Sequence, residues 1–63
     1  MENGIYKSDN AYYFVKDNKI LMHLSGELYK TTENFMIGAK YYKPLSFEMK
    51  KDFEIIYDSS RDW

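Results

Sequence analysis

An all-β fold, a small antiparallel β-meander or barrel-like sheet of about five to seven short strands, is what this 63-residue chain predicts. Three observations lead there. Turn chemistry recurs at short intervals, at Ser8-Asp9-Asn10, Asp17-Asn18, Ser25-Gly26, Thr32-Glu33-Asn34, Lys43-Pro44 and Lys50-Lys51-Asp52. The segments between are rich in Tyr, Phe, Ile, Val and Leu, which favour strands. In the second half, apolar residues alternate with polar ones at a period of two.

Strands are predicted near residues 4–7, 11–16, 19–24, 27–31, 35–42, 45–49 and 53–57. A two-residue turn at Asp17-Asn18 pairs Val15 with Ile20, Tyr13 with Met22 and Ala11 with Leu24. The opposite side of that hairpin carries Phe14 with Leu21 and Tyr12 with His23. Both of its sides are thus apolar. Such strands are either central and covered twice, or they offer one side to a partner.

Further on, Phe35, Ile37, Ala39 and Tyr41 occupy odd positions, and Gly38 inside that run suggests a bulge. The alternative is an α+β fold with one short helix near residues 32–42. Thr32 would cap it, and Phe35, Ala39 and Tyr42 would share a side. Mid-segment Gly38 and the paired tyrosines weigh against that helix. A last hairpin closed by Lys50-Lys51-Asp52 would pair Met49 with Phe53, Phe47 with Ile55 and Leu45 with Tyr57. It sets Glu48 opposite Glu54 and places Phe47 in the core, where truncation to alanine would cost about 3–5 kcal/mol. Helix is expected in less than about a quarter of the chain. Residues 1–63 read as one domain, with residues 58–63 as a loose tail.

Composition narrows function mainly by exclusion. There is no Cys, which removes disulfides and thiolate metal sites, and the single His23 is too little for a closed zinc site. The carboxylates have no spacing that would gather a metal or an acid–base pair, and no Gly-rich phosphate loop occurs. No cofactor and no enzymatic activity are expected. The start lacks a basic and then apolar leader pattern, and no apolar run is long enough to span a bilayer. A cytoplasmic protein without a membrane partner is the expectation. Phe, Tyr, Met, Ile, Asn and Lys supply 32 residues, and Gly, Ala, Arg and Pro only 7, a bias of AT-rich coding DNA. It points to a low-GC bacterium or one of its phages.

The aromatic load carries the functional reading. Seven Tyr, four Phe and one Trp in so short a chain exceed what a small core needs. In each pair, Tyr12-Tyr13 and Tyr41-Tyr42, one ring faces inward and the other outward. Lysines interleave with them. Residues 11–43 hold five Lys against three acids, and residues 44–63 three basic against five acidic side chains, so the chain is polarised. Tyr12, Tyr13, Tyr42, Lys40, Lys43 and Trp63 are therefore the candidate binding residues. The expected function is a small protein-binding module, for instance a phage or mobile-element modulator of a host protein. A single-stranded nucleic-acid binder is one alternative. A self-associating structural protein, with a second copy as partner in a homodimer, is the other.

Overall fold

The computed structural model describes all of residues 1–63. Its centre is the meander the turn chemistry predicts. Strands β1 (Gly4–Lys7), β2 (Tyr12–Lys16), β3 (Lys19–Leu24) and β4 (Glu27–Thr31) follow one another with antiparallel pairing. Asp17 and Asn18 both take left-handed backbone angles (φ 51° and 66°), as do Ser25 and Gly26 (φ 52° and 81°). Two consecutive positive-φ residues make the type I′ turn whose twist matches that of the flanking strands. The register is the expected one: Val15 faces Ile20, Tyr13 faces Met22, Phe14 faces Leu21 and Tyr12 faces His23.

After a 3₁₀ turn at Glu33–Phe35 come β5 (Lys40–Lys43), helix α1 (Phe47–Ser59) and a two-residue strand β6 (Arg61–Asp62). The sheet order is β5-β1-β2-β3-β4-β6, and only the β4–β6 pair is parallel. Helix makes up 25% of the residues and strand 41%, so an α+β description fits as well as an all-β one. The sheet is open, with β5 and β6 at its two edges. It does not close into a barrel.

The expected strands at 45–49 and 53–57 are absent; a single helix replaces the last hairpin and the register proposed for it. Met49, Phe53 and Tyr57 are four residues apart, so they share parity and imitate alternation, yet they also share one side of a helix. Ile56 and Phe47 separate the two readings. Ile56, an even position, is half-buried with Met49 and Tyr57, whereas Phe47 is 79% and Ile55 71% exposed. Ser46 starts the helix: its Oγ accepts the Met49 amide at 3.1 Å, satisfying one of the first free N–H groups. The strand expected at 35–42 shrinks to β5. Of the alternative helix near 32–42 only the 3₁₀ turn forms, and Thr32 precedes it without capping it through its side chain. Gly38 sits in the turn before β5 at φ 75°, outside any strand.

The chain itself covers one side of the central hairpin and part of the other. On one, Ala11, Tyr13, Val15, Ile20 and Met22 form a core closed by Met36 and Ala39 of the 32–39 segment. The Tyr13 hydroxyl donates to the Phe35 carbonyl at 3.2 Å. On the other, Phe14, Leu21 and Lys30 stand in register. Helix α1 lies over this side. The Lys19 ammonium donates to Glu54 at 2.7 Å, and the Lys30 ammonium stands 5.4 Å above the Tyr57 ring. Phe53 on the inward side of α1 and Leu21 beneath it are wholly buried. The last residues are not a loose tail. Asp58 and Ser59 end the helix, Arg61 and Asp62 pair with β4, and the Trp63 amide donates to the Lys30 carbonyl at 2.9 Å.

Candidate binding surface

Helix α1 covers only one end of its side of the sheet. It engages Lys16 and Lys19 next to the β2–β3 turn and leaves the far end, with Lys7, Tyr12 and His23, exposed. Lys7 faces Tyr12, and Tyr12 faces His23, so the three form a row across β1, β2 and β3 on one side.

Edge strand β5 completes the surface through an irregularity. Lys40 pairs with Lys7 and Tyr41 with Tyr6, but the next pair is Lys43 with Ile5. Tyr42 is thus the extra residue of a β-bulge. A bulge re-aims side chains. Here it returns Lys43 to the side that Lys40 and Lys7 occupy, and it sends Tyr42 toward Tyr12, the ring centroids being 6.3 Å apart. The Lys7 ammonium stands 5.7 Å from the Tyr12 centroid and 5.5 Å from that of Tyr42, and the Lys43 ammonium is 5.4 Å from Tyr42. These are cation–π distances. Tyr12 is 38% and Tyr42 52% exposed. A shallow depression bordered by Lys7, Asp9, Lys40 and Tyr42 adjoins the rings.

Charge sets this corner apart. Every ion pair in the chain lies at the opposite end, where Lys16 meets Asp17 and Glu54, and Lys19 meets Glu54. There the hydrogen bond to Glu54 raises the Lys19 ammonium above the usual lysine value. The hydrogen bond from Lys16, and then that from Asn3, holds the Asp17 carboxyl below the usual range. Lys7, Lys40 and Lys43 have no carboxylate within salt-bridge distance. Lys7 and Lys43 stand over tyrosine rings instead.

No family model matches this chain, and no curated protein or solved structure is similar to it.

Of the six residues singled out in the sequence, four meet at this corner: Tyr12, Tyr42, Lys40 and Lys43. Tyr13 belongs to the core. Trp63 lies at the other edge, packed edge-on against Tyr29 at 5.3 Å and Phe35 at 6.5 Å. Lys7 is the residue sequence reading missed. The sequence-predicted turn at Ser8-Asp9-Asn10 would have set it opposite Ala11; the connection instead spans Ser8–Ala11 and sets it opposite Tyr12. No three His, Cys, Asp or Glu side chains come together as metal ligands would. No helix is long and apolar enough to cross a membrane.

Proposed function

We propose that the chain is a non-enzymatic protein-binding module whose contact surface is the Lys7–Tyr12–Lys40–Tyr42–Lys43 corner. The observation that carries this reading is the tilted pair of exposed tyrosines with the Lys7 and Lys43 ammonium groups over their faces and no carboxylate within salt-bridge distance of those lysines. Tyrosine gives a large, rigid contact area at low entropic cost, which is why it is enriched at protein interfaces. Unpaired lysines add attraction for an acidic surface and steer the encounter. A phage or mobile-element modulator of a host protein fits the size and the AT-rich residue usage. A photo-crosslinking residue placed at position 42 tests the reading in cells of the source organism. Protein adducts should form there and not from exposed position 33 on the opposite side of the sheet, and they should fall away when Lys7 and Lys43 are both changed to Glu.

One observation favours a second reading. Paired rings between lysines are also how strand-binding proteins stack bases. Fluorescence anisotropy with short single-stranded oligonucleotides at low salt decides between the two. Binding that weakens steeply with salt and is lost in Tyr42→Ala would replace the protein partner by nucleic acid.

A further inference from the structure

The outward side of α1 is the other surface that folding leaves unexplained. Phe47, Lys51 and Ile55 follow at four-residue spacing along it, and Ile55 stands nearly half a turn from buried Phe53. Phe47 and Ile55 are the two most exposed large apolar side chains of the chain apart from Ile37. Around them exposed Glu48, Asp52 and Asp58 outnumber exposed Lys50 and Lys51. This stripe is apolar and acidic, whereas the β5–β1–β2 corner is aromatic and basic. The two surfaces are complementary to each other. They also adjoin: only residues 44–46 separate β5 from α1, so Phe47 lies within about 14 Å of Lys43 by chain length.

We infer that the corner's occupant is the outer side of α1 from a second copy of this chain. The inference rests on the corner being a protein-binding surface. Complementary patches lying side by side on one molecule satisfy each other twice about a two-fold axis, since each copy offers its corner to the other's helix. Phe47 and Ile55 then rest on the rings of Tyr12 and Tyr42, while Glu48 and Asp52 approach Lys43 and Lys40. The small formal net charge of −1 puts little repulsion in the way. Edge-to-edge pairing through β5 is not the mode. Two β5 strands running antiparallel would oppose Lys40 to Lys43 at both ends, and the bulge at Tyr42 breaks the ladder.

Sedimentation equilibrium of the intact chain, from low to high micromolar concentration and at low and high salt, tests this. A monomer–dimer equilibrium at tens of micromolar is expected, weakening with salt. Lys43→Glu and Glu48→Lys, both at exposed positions, should each weaken it at least tenfold, as should Ile55→Ser. Mixing the first two variants should restore a heterodimer, because both of its interfaces then join Glu to Lys. A chain that stays monomeric at high micromolar concentration overturns the inference, as does a dimer indifferent to these substitutions. Association that grows without limit would mean head-to-tail contacts and overturns the two-fold arrangement. If the chain is monomeric and position 42 still crosslinks to another protein, the corner binds a foreign partner and only the self-docking fails. If neither occurs, both readings fall.

Discussion

Phe53 and Phe47 lie six residues apart in one helix and have opposite environments. Phe53 is wholly enclosed between α1 and the sheet, so truncating it leaves a cavity as well as losing transfer energy. Phe53→Ala is expected to cost about 3–5 kcal/mol, enough to unfold most of so small a domain. Phe47→Ala should change stability by no more than about 0.5 kcal/mol, because its ring is in water. Urea denaturation of both variants measures the contrast, and equal losses would place α1 wrongly on the sheet. Asp17 gives a pH-dependent counterpart. Its carboxyl is held below the usual value by Lys16 first and Asn3 second. Stability from a depressed carboxyl is complete above its unfolded value and is lost as pH falls through the folded one. Asp17→Asn, which tolerates the left-handed angle there, should therefore flatten the acid limb of a stability–pH profile and leave the limb above neutrality unchanged.

Among the elements, the meander was legible and the helix was not. The β2–β3 register follows from Asp17-Asn18 alone, because a two-residue turn with both φ positive leaves one pairing for the flanking strands. In the C-terminal half, residues four apart satisfy both a period of two and a period of 3.6, so Met49, Phe53 and Tyr57 could not decide. The deciding signs were local: Pro44 and Ser46 before the segment, and apolar Ile56 on what a strand would make its wet side. The binding corner was half legible. Outward tyrosines and nearby lysines could be chosen from strand alternation, but the convergence of Lys40, Tyr42 and Lys43 needs the bulge, which no residue type announces. The cap has its own test. Ser46→Ala removes the acceptor for the Met49 amide and should cost about 1 kcal/mol, visible as a lower denaturation midpoint and a loss of helical ellipticity. Ser46→Asp should restore both.

At the scale of the whole molecule, the sheet order joins two kinds of neighbour. Strands β1 to β4 lie beside their sequence neighbours, whereas β5 returns from the far half of the chain to bring residue 40 against residue 7. The order therefore carries a timetable. Closing a long loop costs more entropy than closing a tight turn, and contacts between distant residues reward the chain only after that cost is met. The meander should assemble in the folding transition state, with β5 docking on the downhill side of the barrier. Stopped-flow kinetics over a range of urea concentrations separates the two. Asn18→Ala, which strains a left-handed turn residue, should slow folding and leave unfolding nearly unchanged. Tyr41→Ala, which removes the edge-on packing against Tyr6 at 5.5 Å, should accelerate unfolding and spare the folding rate. The strand that carries Lys40, Tyr42 and Lys43 is then the last to arrive and the first to leave. Its amide protons should exchange with solvent ahead of those of β2 and β3, and anything that grips the corner should slow that exchange before it alters any other part of the sheet.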